Sequence, residues 1–408
     1  RLASERLFPR PSGAPMALTT TDPVESTLAA LDRRLGPGLV HVEHLPARAA
    51  RTAAPARPLR PAQADRLAEL GLTSLWSHQA RALDLLRDGR STVVATGTAS
   101  GKSLCYQLPI AEAVADPVRP GTALVLFPTK ALAQDQLRAL GHLAMPGVVA
   151  ATYDGDAGPE ARAWARAHAN VLLTNPEMLH QGLLPHHGRW DTFLMRLRYV
   201  VIDELHILRG VFGSHVAHVL RRLQRLCAQL GASPTFVFTS ATIGRPERLA
   251  EELCGLPVTA VADDGSPRGP RTVALVDPAR VPSTSGKTPS ANRITAALVA
   301  QLVAGGHRTL AFCRSRAGTE AVAAEVVRRH PALAGRVRPY RGGYLASERR
   351  EIEAQLFSGR LGGVVATSAL ELGVDIGGLD AVVLNGFPGT IASLWQQVGR
   401  AGREGQSS

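Results

Sequence analysis

Short aliphatic runs alternate with helically spaced stretches along most of this chain. The runs "STVVAT" (91–96), "TALVLFPT" (122–129), "GVVAATY" (147–153), "NVLLTNP" (170–176), "LRYVVIDE" (197–204) and "TFVFTSAT" (235–242) have strand length and are apolar on both faces. Segments such as "SHQARALDLLRDG" between them repeat their apolar residues every three or four positions. Doubly apolar strands separated by helices predict a parallel sheet covered on both sides. Two stretches dense in Gly, Pro and Ser, "ADDGSPRGPR" (262–271) and "RVPSTSGKTPSANR" (280–293), break the alternation. It resumes with "RTLAFCR" (308–314), "VRPYRGG" (337–343), "GGVVATSA" (362–369) and "LDAVVLNGFP" (379–388). The expected fold class is α/β, with two tandem domains at 61–265 and 266–408. Ahead of them, residues 1–60 read as a basic Ala-, Arg- and Pro-rich extension that is partly disordered.

Bulk numbers narrow the chemistry. The 408 residues suit two domains of about 200 each. No apolar run reaches the roughly 18 residues that a membrane span needs, so no membrane partner is expected. The four cysteines (Cys105, Cys227, Cys254, Cys313) form no CxxC pair and read as reduced, buried small hydrophobes. Net charge is +12, and the first 60 residues hold nine arginines against five acids, so most of the excess lies beyond them. That balance favours a polyanionic partner.

The sharpest local signal is "ATGTASGKSLCY" (95–106), which reads strand, glycine-rich turn, helix. Backbone N–H groups can converge on phosphate in such a turn, with a helix N-terminus behind them. Gly97 and Gly101 permit the path, with Thr98, Ala99 and Ser100 between them. Lys102 would reach the β- and γ-phosphates of ATP, and Ser103 would ligate Mg²⁺. Thr96 stands where the usual pattern has Gly or Ala, and an ordinary strand–helix junction is the alternative. A hundred residues on, Asp203 and Glu204 close an apolar strand that is expected to neighbour the strand of the turn. Asp203 would hold Mg²⁺ through water, and Glu204 would orient and deprotonate the attacking water. The competing reading is an acidic pair capping the next helix. Gln79, ahead of the turn, would read the adenine edge or simply start a helix. In "QQVGRAGR" (396–403), Arg400 and Arg403 lie three apart on an expected helical face, with Gln396 one turn earlier. They would act as arginine fingers, or form a solvated basic face.

In order, "HQARA", "TGTASGKS", "FPTKALAQDQ", "TNPEML", "DELH", "SAT", "AFCRSR", "ATSALELGVDIG" and "QQVGRAGR" resemble the motifs of superfamily 2 DExH-box helicases across residues 78–403. Finer strings, "HVEHLPAR" (41–48), "TASGKSLCYQLP" (98–109) and "DELHILRGVFGSHVAHVLRRL" (203–223), resemble the MrfA/YprA and SftH branch, distantly similar to RecQ-type helicases. "TASGK" in place of "TGSGK" is typical of that branch. The resemblance implies two RecA-like domains with ATP in the cleft between them and single-stranded DNA across their tops. It also implies 3′-to-5′ translocation and a role in DNA repair, in the bacterial cytoplasm on the nucleoid. Through it His206, Ser240 and Thr242 would couple hydrolysis to movement, and Gly373 and Asp375 would face the nucleotide from the second domain. The branch ordinarily continues into a C-terminal region with a four-cysteine metal site. This sequence holds no cysteine cluster, so only magnesium is carried over.

A translocase needs phosphate grips on both domains. Thr129 and Lys130, Thr174 and Asn175, Arg314 and Ser315, and Thr367 and Ser368 all follow expected strands, where hydroxyls, amides and helix N-termini suit sequence-independent backbone binding. Helix N-capping is the alternative for each one. His180, His186 and His187 lack an evident fourth ligand and read as loop histidines. The leading function is an ATP-dependent helicase or translocase acting on single-stranded DNA or a tailed duplex. An RNA helicase and a nucleic-acid-binding scaffold without turnover are the alternatives.

Overall fold

The computed structural model describes residues 23–283, 286–371 and 378–402. Gly373, Asp375 and Arg403 lie outside them. The chain divides into two compact units, residues 50–266 and, together, residues 23–49 and 267–402 of the described chain.

The described residues begin in the second unit with α1 (Pro23–Leu35) and β1 (Leu39–Leu45). It then enters the first unit through β2 (Thr52–Ala53), α2 (Pro61–Glu69), β3 (Leu75–Trp76), α3 (Ser77–Arg87), β4 (Thr92–Ala95) and α4 (Lys102–Val114). Next come β5 (Thr122–Leu126), α5 (Lys130–Leu143), β6 (Ala150–Thr152), α6 (Pro159–His168), β7 (Val171–Thr174), α7 (Pro176–Met178) and α8 (Asp191–Met195). The unit closes with β8 (Leu197–Ile202), α9 (Gly210–Gln229), β9 (Thr235–Ser240), α10 (Pro246–Cys254) and β10 (Thr259–Val261). Its sheet has seven strands in the order β10-β4-β9-β8-β5-β7-β6, and all its pairs are parallel. The expected adjacency of the turn strand and the acidic strand is corrected here: β9 lies between β4 and β8. Every residue of β4, β5 and β7 is buried, as strands covered on both faces require.

The second unit continues with β11 (Arg271–Val276), α11 (Ala291–Ala304), β12 (Thr309–Cys313), α12 (Arg316–Arg329) and β13 (Val337–Tyr340). It ends with α13 (Ala346–Phe357), β14 (Gly363–Ala366), β15 (Ala381–Asn385) and α14 (Ile391–Val398). Its parallel sheet runs β13-β14-β12-β15. Alternation along β12 divides the core: Leu310 and Phe312 pack with Ile352 and Leu356, while Ala311 and Cys313 pack with Val299, Val303 and Val322. All four cysteines are free and buried, as their spacing implied.

β1 pairs antiparallel with β11, so the segment expected as an extension contributes a helix and a strand to the second unit. Both strands are only partly buried and neither shows clean alternation, so the sequence pattern carries no strand signal there. No described helix is long and apolar enough to cross a membrane.

Candidate nucleotide site and strand-end contacts

Parallel strands bring all their C-terminal ends to one edge of the sheet, where ligands of such folds bind. In the first unit that edge carries, in spatial order, the glycine-rich turn after β4, Ser240 and Ala241 at the end of β9, Asp203 and Glu204 after β8, and the Thr129 and Thr174 segments after β5 and β7.

The turn is held by its own side chains and by α3. Gly101 has φ +63°, and a Cβ there would fall 2.6 Å from Gln79 Nε2 and 2.8 Å from the Trp76 ring, so only glycine fits. Ala99 shares the left-handed region at φ +57°. Ser100 Oγ donates to the Gly97 carbonyl at 2.8 Å and lies 2.6 Å from Thr96 Oγ1, which gives the hydroxyl at position 96 a structural role. Gln79 accepts from the Trp76 N–H at 2.9 Å and donates to the Gly101 carbonyl at 3.2 Å, so it braces the turn from below. Trp76 was not singled out from the sequence. An aromatic three residues before Gln79 was its available signal.

Lys102 opens α4, and its Nζ donates to the carbonyls of Thr96 (3.2 Å) and Gly97 (2.6 Å). Burial lowers its pKa, while the charges of Glu204, Asp203 and Asp264 raise it. The lysine and the acidic pair, a hundred residues apart in sequence, therefore share one electrostatic environment. Asp203 is pushed up to about 6 by burial, with the neighbouring Glu204 charge adding to the shift. Its Oδ1 accepts from the Glu204 N–H at 3.0 Å and from the hydroxyl of Thr239 on β9. Thr239 was missed in the sequence because its partner is set by strand order, which no local pattern shows. Glu204 sits at φ +56°, ψ +46°, a left-handed conformation that costs a non-glycine residue about 1–3 kcal/mol. Its carboxylate lies beside the His206 ring.

His206 Nδ1 is 3.4 Å from Glu204 Oε2 and 3.4 Å from the Ala241 N–H. One nitrogen cannot serve both: bare, it accepts from Ala241, and protonated, it donates to Glu204. Ser240 is buried, and its hydroxyl has no hydrogen-bond partner among the described residues. Thr242 is exposed.

The strand-end residues divide into two kinds. Thr129 caps α5 by accepting from Leu132 N (3.3 Å), Asn175 caps α7 through Met178 N (2.8 Å), and Ser315 caps α12 through Gly318 N (3.0 Å). Thr367 accepts from Ala369 N at 3.4 Å. These caps order the helix N-termini, while Arg314 and Ser368 stand exposed beside them. Lys130 pairs with Asp156 at 2.7 Å. Thr174 is buried, with its hydroxyl on the Tyr153 carbonyl, so only its backbone faces the edge. His180 bonds Arg222, His186 bonds the Gly182 carbonyl and His187 bonds the Leu184 carbonyl, so these three histidines have separate partners. No cluster of three or more metal-ligating side chains occurs among the described residues.

In the second unit, α14 ends at Val398 with Gly399 as its cap. Arg400 therefore lies beyond the helix, and the expectation that one helical face carries Gln396, Arg400 and Arg403 is corrected. The Arg400 guanidinium is buried and donates to the Glu371 carbonyl, and Gln397 donates to Glu371 Oε2 at 2.8 Å. Gln396 is buried beside them in sequence. The helix stops at Val398, and residues 399–400 continue the chain as a turn.

The chain is similar to known proteins along most of its length. The DEAD/DEAH box helicase family matches residues 76–249, and the helicase conserved C-terminal domain matches residues 292–405. The ATP-dependent helicase YprA of Bacillus subtilis is 44% identical over 343 residues, covering 83% of this chain and 46% of that protein. The ATP-dependent helicase HRQ1 of Saccharomyces cerevisiae is 43% identical over 349 residues, covering 82% of this chain and 32% of that one. A crystal structure of the DUF1998 helicase MrfA bound to DNA and AMPPNP superposes with a TM-score of 0.85 at 40% identity, over 94% of this chain and 54% of that chain. The chain thus spans about half the length, or less, of these relatives.

Proposed function

Because the chain belongs to the superfamily 2 helicases of the YprA and MrfA type, with two RecA-like domains, we propose that it is an ATP-driven DNA motor that moves 3′-to-5′ on single strands in DNA repair. The observation that carries this reading is the order along the first sheet's edge: phosphate turn, coupling segment, acidic pair, then strand-binding ends. Chemistry and grip sit on one rigid sheet, a few strands apart. MrfA has been solved bound to both DNA and AMPPNP, which supports DNA as the track and ATP as the fuel. The reading places the protein in the cytoplasm, on the nucleoid.

In this mechanism the turn from Gly97 to Ser103 cradles the phosphates with backbone N–H groups, and Lys102 moves its ammonium from the Thr96 and Gly97 carbonyls to phosphate oxygens. Asp203 and Ser103 offer oxygen donors to Mg²⁺, which suits a cation that needs only one or two protein oxygens beside phosphate and water. The carboxylate after β8 and the hydroxyl in the first turn of α4 follow strands of one parallel sheet, and both are oxygen donors of the kind this cation takes, so the residues fit it. Bound there, the ion would neutralise charge between the β- and γ-phosphates. Glu204 takes the proton of the attacking water, and its strained backbone holds the carboxylate ready. His206, exchanging Glu204 for Ala241, would tell the segment after β9 which state the base is in. Arg400 would leave the Glu371 carbonyl to meet charge on the transferring phosphoryl group, with Arg403 as a second finger and Gln396 orienting the water. Gly373 and Asp375 would face the nucleotide from the same unit. Thr129, Lys130, Asn175 and the Thr174 backbone grip one stretch of DNA phosphates, and Arg314, Ser315, Thr367 and Ser368 grip another.

Steady-state ATPase rates with single-stranded DNA, duplex DNA and RNA, measured side by side, test the reading. Stimulation by single-stranded DNA above both others is expected. Preferential stimulation by RNA would make it an RNA motor, and hydrolysis indifferent to all three would remove the track.

A further inference from the structure

Within the described residues the chain passes between its two units twice, between residues 49 and 50 and between residues 266 and 267. At both passages the two segments are joined by backbone hydrogen bonds. On the second-unit side Arg48 and Arg268 exchange backbone bonds of 2.8 and 2.9 Å, continuing the β1–β11 ladder. On the first-unit side the Arg51 N–H donates to the Gly265 carbonyl at 2.8 Å, and the Ser77 N–H donates to the Arg51 carbonyl at 2.8 Å. The Arg51 guanidinium binds the Asp263 carboxylate and the Asp264 carbonyl. Packing here is tight: a Cβ on Gly265 would stand 2.2 Å from Ser77 Oγ and 2.7 Å from the Arg51 carbonyl.

This ribbon end is bonded to the phosphate turn at two points. His78, whose side chain is fully buried, bridges them: Nδ1 accepts from the Gly265 N–H at 3.2 Å, so the hydrogen is on Nε2, which donates to the Ser100 carbonyl at 2.8 Å. With Nδ1 bare, its 3.9 Å separation from Asp264 Oδ1 is no ion pair. Asp264 makes the second link. Its Oδ1 accepts from the Ser266 N–H (2.9 Å) and hydroxyl (2.7 Å), while its Oδ2 accepts from the Gly97 N–H at 3.3 Å. An acidic side chain on the segment leaving the unit thus binds an N–H of the very turn that would take anionic phosphate. Two anions at one turn repel, and incoming phosphates also draw Lys102 off the Gly97 carbonyl.

We propose that His78 and Asp264 are positioning residues that sense phosphate in the turn and pass that state to the paired segments joining the two units. The proposal rests on the reading of residues 97–103 as the phosphate site. It adds a role for a histidine and an aspartate that act through backbone contacts and touch no reacting atom.

Hydrogen–deuterium exchange of the amides of residues 51–53 and 263–268, in the whole 408-residue chain with and without Mg²⁺–AMPPNP, tests it, with a fluorescent nucleotide reporting affinity in parallel. Nucleotide is expected to change exchange at Arg51 and Gly265 by about tenfold. In Asp264→Asn that change falls below about twofold, while nucleotide affinity stays within about threefold. His78→Phe behaves likewise, and His78→Gln, whose amide keeps one acceptor and one donor, restores the response. If His78→Phe does not fold, Asp264→Asn and His78→Gln carry the test alone. A parent chain that binds nucleotide without changing exchange at these amides overturns the proposal, as does an Asp264→Asn chain that keeps the full response. A parent chain that binds no nucleotide overturns the phosphate reading itself, and the proposal with it.

Discussion

The two units hold their proposed catalytic groups in opposite ways. In the first, Lys102, Asp203 and Glu204 follow or begin elements anchored to central strands whose residues are almost wholly buried. Each is also pinned by a second contact, from Thr239, the turn carbonyls or the Asp203–Glu204 backbone bond. In the second, Arg400 lies past the end of α14, and the neighbouring strand β15 is an edge strand with every residue partly exposed. Its guanidinium donates to the main-chain carbonyl of Glu371. On the proposed reading, the difference separates a preorganised half, which would bind nucleotide and ready the base, from a half that would supply charge only once its contact to Glu371 is exchanged. A motor needs both, because a site complete in one state would hydrolyse ATP without moving.

Arg400→Ala tests the second half and carries the largest expected effect. An arginine finger contributes about 10³ to 10⁵ in rate, or roughly 4–7 kcal/mol of barrier. Stopped-flow hydrolysis is expected to show that loss in kcat with nucleotide affinity nearly unchanged. A loss under about tenfold, with the unit still folded, would assign the guanidinium to holding Glu371 and not to chemistry.

Glu204→Gln probes the preorganised half. The amide keeps shape and removes the base, so turnover should fall by about 10² to 10⁴ while nucleotide and DNA binding persist. Hydrolysis near the parent rate would mean that Glu204 is strained for another reason.

The smallest effect is on stability. Asp203 has a folded-state pKa raised to about 6 by burial, above the roughly 3.9 of an unfolded aspartate. The folded chain therefore binds this proton more tightly, so the group favours folding most below about pH 4, and that contribution is lost as pH rises through about 6. Asp203→Asn removes the titration. Without nucleotide, its thermal midpoint should gain on the parent by a few degrees between about pH 5 and pH 7.5, at about 2–4 °C per kcal/mol. An unchanged difference across that range would show Asp203 already ionised at the lower pH.

How much of this was legible follows from the range of each signal. The turn at 97–103 and the pair Asp203–Glu204 are local patterns on doubly apolar strands, and both landed on one sheet edge. Strand order is not local. The insertion of β9 between β4 and β8, and with it the Thr239–Asp203 bond, depends on pairings made across the whole unit. β1 and β11 are half-exposed partners more than two hundred residues apart, and neither has the burial that makes a strand visible. The end of α14 shows a third limit: Gln396, Arg400 and Arg403 share helical spacing in the sequence, yet the helix stops at Val398 and Arg400 lies in a turn. His78 and Asp264 escaped notice because their partners are backbone groups of residues far along the chain.

The central claim is that these two units use ATP to move along a single strand. Translocation on oligonucleotides of increasing length, with a fluorophore at either the 5′ or the 3′ end, tests it most directly. The account predicts that Mg²⁺–ATP gives a lag before the 5′-end signal that grows linearly with length, and no such lag at the 3′ end. A signal independent of length at both ends, in a chain that hydrolyses ATP, would contradict it.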